Sequence, residues 1–476
     1  MTPVQPPVLP APANWSGTAD FEARDPALGL VVGRYAFASP GDVTQVLEIA
    51  GKGFAAWSAL TVNQRCDLLG DWLSRIEAET PVLAGEMTDE QGKPLAEATA
   101  EIGKSLREAR QMLGFARGHG GQTLPGRAPG WSNTILRRPR GVVLAITPWN
   151  FPVLTPLRKL VPALAAGNAV VLKPSEYTPA AAMRLVRAAE GLLPQGALCL
   201  VNGAGEVASG LVAAQVDAIS FTGSVATGRK IGAVAGGNLV PVSLELGGKN
   251  ANLIFADADM DKAVATSVRS AFANQGEICL CASRIYVERS AYDAFLAKYV
   301  PAVEALKVGP PSDPETKVGP LASKGHMEKV LSYIDIARKE GGTIAAGGQR
   351  VTSLGDGYYV APTVVTDLPR ESRLECEEIF GPVVIVVPFD TEEEAIARAN
   401  AVHYGLAGVV WTQNLGRAHR VAAAIESGTV WVNTWMTRDT RVPFGGHKHS
   451  GIGIEGGPEH SREFFTNTKN ICIAME

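Results

Sequence analysis

The chain lacks a surplus of either charge. Its 476 residues carry 44 Lys and Arg against 48 Asp and Glu, a net of -4. Such a balance makes no general field toward phosphate backbones or anionic bilayers, so neither nucleic acid nor membrane is expected as a partner and a small molecule is favoured. Cysteine is sparse: Cys66, Cys199, Cys279, Cys281, Cys376 and Cys472 are scattered along the sequence. That is unlike the dense framework of a secreted disulfide scaffold, and a reducing cytoplasm is the expected setting. Long apolar runs are missing too. The stretch Pro382 to Phe389 falls far short of the ~20 residues of a membrane helix. The opening MTPVQPPVLPAPA has no basic flank leading into an apolar segment, so it reads as a Pro-stiffened arm and not as a signal peptide.

What is present is the composition of a folding protein: 46% hydrophobic and 19% charged residues, far from the depleted composition of disorder. The length predicts at least two domains, because single cores stop growing near ~250–300 residues. Between Asp42 and Ala59, residues Val43, Val46, Leu47, Ala50, Phe54 and Trp57 recur at the spacing of an amphipathic helix. Short β-rich runs follow at Gly141 to Thr147, Asn168 to Leu172, Leu198 to Val201 and Ala218 to Phe221, separated by helical segments such as Pro179 to Glu190. That alternation predicts a parallel sheet covered by helices on both faces. A second series, ANLIF, RIYVE and PVVIVVPF, begins near Asn252 and predicts a second α/β unit.

Three segments carry chemistry. In Asn274-Gln-Gly-Glu-Ile-Cys279-Leu-Cys281 a thiol follows a polar, Gly-containing turn. Cysteine is the best protein nucleophile near neutral pH once a dipole or cation favours its thiolate. Taken alone, Cys279 reads as well as buried filler, and Cys281 reads as a packed neighbour. Leu244-Glu245-Leu246-Gly247-Gly248-Lys249 sets a carboxylate between leucines; desolvation there would raise its pKa and suit a general base, although a solvent-facing strand residue is the plain alternative. In Thr147-Pro148-Trp149-Asn150-Phe151-Pro152 two prolines bracket a carboxamide at a strand end, either an oxyanion donor or an ordinary turn residue.

For a cofactor, Phe221-Thr222-Gly223-Ser224-Val225 leaves a strand and opens a helix, where free N–H groups can meet a pyrophosphate. Lys173-Pro174-Ser175-Glu176 closes another strand with a cation and an anion, suited to ribose hydroxyls. Gly203-Ala-Gly205-Glu-Val-Ala208 imitates a dinucleotide fingerprint, a weak signal by itself. The histidine spacing fits no common zinc pattern, so no metal is expected.

Taken together, PWNFP, KPSE, FTGSVATG, LELGGK, NQGEICLC, EEIFGPV and PFGGHKHSG, in that order from about Asp42 onward, resemble the aldehyde dehydrogenase superfamily. The resemblance implies an α/β fold with a Rossmann-type cofactor domain (1–115 and 139–247), an α/β catalytic domain (248–448), and a small β oligomerisation arm with the C-terminal tail (116–138 and 449–476). It implies Cys279 as nucleophile, Glu245 as base for the hydrolytic water and Asn150 as oxyanion donor, with Lys173 counted among both the catalytic and the cofactor residues. Thr147, Pro148, Trp149, Lys173, Ser175, Glu176, Phe221, Gly223, Ser224, Gly247, Glu378 and Phe380 would hold NAD, in preference to NADP. The resemblance sets aside Gly203 to Ala208 as the phosphate loop. Rival readings are a coenzyme A-acylating relative, which typically lacks the carboxylate of LELGGK, and a non-catalytic NAD-binding protein. The stretch Asn433 to Gly446 resembles hydroxymuconic and aminomuconic semialdehyde dehydrogenases, implying a carboxylate-bearing aldehyde gripped by Arg441, with Arg438, Lys104 and Trp435 beside it. Lys104 and Ile454 depart from that subfamily's arginines. A homodimer or homotetramer is expected.

Overall fold

A computed structural model describes residues 19–475; the Pro-rich opening lies outside the described residues. The strand Val142–Ile146 is buried throughout and pairs in parallel with Ala169–Lys173 on one side and Ala218–Thr222 on the other. Leu198–Leu200 extends the sheet beyond the former, and Val242–Glu245 beyond the latter. The chain therefore winds away from Val142–Ile146 in both directions. In open parallel sheets such a reversal opens a crevice at the carboxyl ends of the strands. Here those ends carry Thr147, Lys173, Gly223 and Glu245.

Helices cover both faces, as the expected alternation requires. Helix Pro40–Ser58 carries a capping box between Ser39 and Asp42 and packs on Ala169–Lys173. On the other face, Trp57 and Trp72 are wholly buried, and their indole N–H groups donate to Leu164 and Leu185 carbonyls, each at 2.8 Å. Burying so much ring area is favourable only because each polar edge keeps a partner.

The second sheet has seven strands, in the order Thr343–Ala346, Thr363–Thr366, Val383–Phe389, Arg284–Glu288, Ala251–Ile254, Ala407–Trp411 and Thr429–Val432. All its pairings are parallel but that of the edge strand Thr343–Ala346. A third, antiparallel sheet joins Gln122–Pro125, Trp131–Pro139 and Thr466–Ala474, and most of its residues stay exposed or half-buried.

The C-terminal segment 449–476 is shared between the first sheet and the antiparallel one. Only Thr466–Ala474 joins that sheet. Gly451–Ile452 pairs antiparallel with Val242–Glu245, and helix Pro458–Phe465 packs against helix Leu154–Ala165. The helix buries Phe465, which needs apolar cover that a thin hairpin cannot provide. Asn168 secures the return: its carboxamide accepts from the Arg140 and Gly141 N–H groups at 2.7 and 3.1 Å and donates to the Ala163 and Phe465 carbonyls at 3.0 and 2.9 Å. Asn168→Ala leaves these backbone groups unpaired, and a loss of about 3 kcal/mol follows from typical penalties. A urea midpoint unchanged from the parent's would refute this role.

Candidate active site

The thiol loop begins where helix Met260–Phe272 stops. Asn274, Gln275 and Gly276 then take successive left-handed conformations, with φ of 49°, 57° and 76°. For the two non-glycine residues this costs of order 1–3 kcal/mol each and persists only when the surroundings over-determine it. Here they do. Asn274 Nδ2 donates to the carbonyls of Asn150 and Glu277, both at 3.2 Å, and Gln91 Nε2 donates to Asn274 Oδ1 and Glu277 Oε2, also at 3.2 Å. Glu277 Oε1 accepts from the Ala322 N–H at 3.1 Å. A Cβ at Gly276 would collide with the Gly381 carbonyl.

The turn delivers Cys279 to a cavity that Asn150 and Glu245 also line. Asn150 is buried, and its Nδ2 donates to the Glu277 carbonyl at 2.8 Å, which aims the amide along the loop. Behind the thiol, Asn250 Nδ2 donates to the Cys279 and Cys281 carbonyls at 2.7 and 2.9 Å. Cys281 is core, as expected of a packed neighbour.

Electrostatics in the cavity follow from burial. Glu245 is 4% exposed and its Oε1 has no hydrogen-bond partner. Burial first, then the neighbouring Glu455, hold its carboxyl well above the usual range, while Lys159, Arg438 and Arg158 pull the other way. Cys279 is pushed up to about 12 by burial, then by Glu378 and Glu245. Glu455 binds the Lys159 ammonium and accepts from Ser220 Oγ at 2.6 Å.

The residues expected to hold a cofactor lie at the carboxyl ends of the first sheet and beside Gly247 and Gly248. Lys173 Nζ lies 3.7 Å from Glu176. Ser224 Oγ caps helix Val225–Gly237 by accepting from the Thr227 N–H at 3.2 Å, and the Phe221 ring sits where a Gly223 side chain would go. Across the crevice Glu378 Oε1 accepts from the Gly248 N–H at 2.9 Å, and its carboxylate leaves no room for a side chain at Gly247. Trp149 meets Phe380 edge-on, with ring centroids 5.5 Å apart. Thr147 Oγ1 is buried without a partner. An orphaned hydroxyl, an accessible helix N-terminus and a cation–anion pair suit a dinucleotide's polar groups.

Three of the expected residues stand away from the cavity lining. Arg441 is exposed and bound to Asp439, whose oxygens accept from Arg441 Nε at 3.0 and 3.1 Å and from Nη2 at 2.6 Å. It does not line the cavity; two residues of loop suffice to turn it into a solvent-facing local pair. Trp435 lies behind the thiol loop, donating to the Leu280 carbonyl at 3.0 Å, and supports that loop without walling the cavity. Lys173 faces Glu176 and is not among those lining the Cys279 cavity. Lys104 and Arg438 do line it. Sequence reasoning missed Glu108, Arg158, Lys159 and Glu455. The only signal for the middle two was a pair of cations inside the otherwise apolar run of helix Leu154–Ala165.

Two parallel sheets, with a crevice at the strand ends of the first and a half-buried thiol beside a buried carboxyl and carboxamide, fit an oxidoreductase of the aldehyde-oxidising kind. The aldehyde dehydrogenase family profile matches residues 14–471, and the chain belongs to that family. It is 43% identical to the 2-hydroxymuconic semialdehyde dehydrogenase of Pseudomonas putida over 472 residues, 96% of each chain. It is 42% identical to the 2-aminomuconic semialdehyde dehydrogenase of Homo sapiens over 462 residues, 95% of each. Among solved structures, PnpE in complex with nicotinamide adenine dinucleotide superposes with a TM-score of 0.93 at 38% identity, covering 96% of this chain and 95% of that one. The protein is an NAD-dependent enzyme that oxidises aldehydes.

Because the Glu378 charge is the second cause of the raised Cys279 pKa, Glu378→Gln should lower that pKa. Iodoacetamide should then alkylate Cys279 faster at any fixed pH between about 7 and 10. Unchanged rates would show that burial alone controls the thiol.

Proposed function

We propose that Cys279, its thiol proton released to solvent, attacks the aldehyde carbon and that Asn150 Nδ2, with the Cys279 N–H, receives the negative oxygen of the adduct. The chemistry supplied by bound NAD is hydride acceptance; loss of hydride leaves a thioester on Cys279. Glu245 then takes a proton from water, the water attacks the thioester, and the acid departs with the thiol restored. Lys173 and Glu176 would hold the adenosine ribose, Gly223 and Ser224 the pyrophosphate, and Glu378 the nicotinamide ribose beside Phe380. A buried Glu245 in the same cavity as Cys279 speaks for water as acyl acceptor and against coenzyme A.

The substrate reading is a carboxylate-bearing semialdehyde held by Arg438, with Lys104 nearby. One observation carries it: Arg438 Nη1 is buried in the cavity wall without a hydrogen-bond partner. The guanidinium lies over the Phe444 ring at 4.1 Å, and burial, then Arg158, push its pKa down to about 9. A buried guanidinium in that state gains most from a planar anion. The two muconic semialdehyde dehydrogenases act on aldehydes of this kind by name. A cytoplasmic setting fits six free cysteines. A homodimer or homotetramer fits the thin third sheet, where Leu124, Trp131 and Ile473 are exposed.

Arg438→Met should lower kcat/KM for a semialdehyde acid about 10- to 100-fold, the size of a lost hydrogen bond to a charged group, and spare a neutral aldehyde of equal length. Equal losses for both would remove the carboxylate from the reading. In Glu245→Gln, mixing enzyme, NAD and aldehyde should build up a thioester visible by intact mass; slow turnover without an adduct would reject Glu245 as base. Because the Glu245 pKa is raised above the ordinary carboxylate range, the base form grows with pH, so deacylation should rise with pH and lose that rise in the Gln variant. NAD should be preferred over NADP, since Glu176 repels a 2′-phosphate; equal efficiency with both would refute this.

A further inference from the structure

The cavity holds more positive charge than one carboxylate needs. Lys104 and Glu108 come from helix Leu95–Arg117, Arg158 from helix Leu154–Ala165, and Arg438 from the loop after Thr429–Val432. Glu108 is the shared counter-ion. It accepts from Arg158 Nε at 2.8 Å and Nη2 at 3.1 Å, and stands 4.0 Å from Lys104 Nζ. Glu455 is neutralised by Lys159, and the environment of Glu245 favours its uncharged form. With the Lys159–Glu455 pair set aside, Lys104, Arg158 and Arg438 face the carboxyls of Glu108 and Glu245, so the cations outnumber the carboxyls in this cavity wall. Both Lys104 and Arg438 carry the mark of that crowding: after burial, Arg158 is the largest cause lowering each pKa.

We propose that Arg158, with Lys104, forms a second anion subsite beside Arg438, so that the preferred aldehydes carry two carboxylates at the end remote from the reacting carbon. This rests on the semialdehyde-acid reading above and deepens it. Two guanidinium groups stand in the wall, so each carboxylate of a dianion meets its own. The neutral Phe151, Leu154, Leu157 and Trp431 that complete the wall offer it no competing charge. Arg158 is pre-oriented for the task, because the bidentate contact with Glu108 fixes its plane while its Nη1 group makes no hydrogen bond to that carboxylate. Glu108 would thereby act as a positioning residue that also moderates the charge.

The test compares three aldehydes of one chain length: pentanal, its terminal monocarboxylate, and the corresponding malonate-ended diacid. Wild-type kcat/KM should rise in that order, with the diacid about tenfold above the monoacid, a step of about 1.4 kcal/mol. Arg158→Met should cost the diacid at least about tenfold more than the monoacid, chiefly through KM. Glu108→Gln should widen the diacid's advantage, an outcome that a purely structural Arg158–Glu108 pair would not produce. A monoacid preferred over pentanal with no further gain for the diacid would overturn the second subsite alone. No preference for the monoacid either would bring down the first reading with it. If Arg158→Met fails to fold, protection of wild-type Cys279 from iodoacetamide decides: malonate should protect at lower concentration than acetate, and equal protection would overturn the proposal.

Discussion

The left-handed turn Asn274–Gly276 is the constraint on which the site depends. A thiol projected from a regular helix or strand end would be buried in the catalytic core or turned to solvent. Three successive positive φ values bend the chain sharply enough to bring Cys279 to the wall it shares with Asn150 and Glu245. The conformation is unfavourable locally, and the buried amides of Gln91, Asn150 and Asn274 around Glu277 offset the cost. Those amides come from a helix of the first unit, a loop of the first unit and the turn itself. The thiol's position is therefore a property of the two units docked together, not of either alone.

Desolvation gives that position its chemistry. The same closure that shields the thiol raises the Cys279 and Glu245 pKa values, favouring the protonated form of each. Such groups do not react spontaneously with bulk solvent. Arg438 Nη1, Glu245 Oε1 and Thr147 Oγ1 are buried without partners, so binding can do electrostatic work there that a fully paired pocket would forgo.

The fold was readable at the level of its periods. The strands at Val142–Ile146, Ala169–Lys173 and Ala218–Thr222 fall within a residue or two of the apolar runs, because a strand buried on both faces must be apolar throughout. The double role of the C-terminal segment was not readable. Gly451–Ile452 and Pro458–Phe465 return to the first sheet through long-range contacts, including those of Asn168, which leave no local pattern.

For the site, Cys279, Glu245 and Asn150 stood out because each pairs a reactive side chain with residues that fix or bury it locally. Arg441 misled for the opposite reason. Its closeness in sequence to Pro443-Phe444-Gly445-Gly446 says nothing about the direction of its side chain, and Asp439 lies near enough to claim it. Arg158 and Glu108 are 50 residues apart yet share a bidentate contact. Residue types and periodicities determined the elements, the crevice and the reactive groups, since these depend on short-range chemistry. Which cations face the substrate was decided only by tertiary packing, because side-chain direction in a loop or across crossing helices depends on contacts distant in the chain.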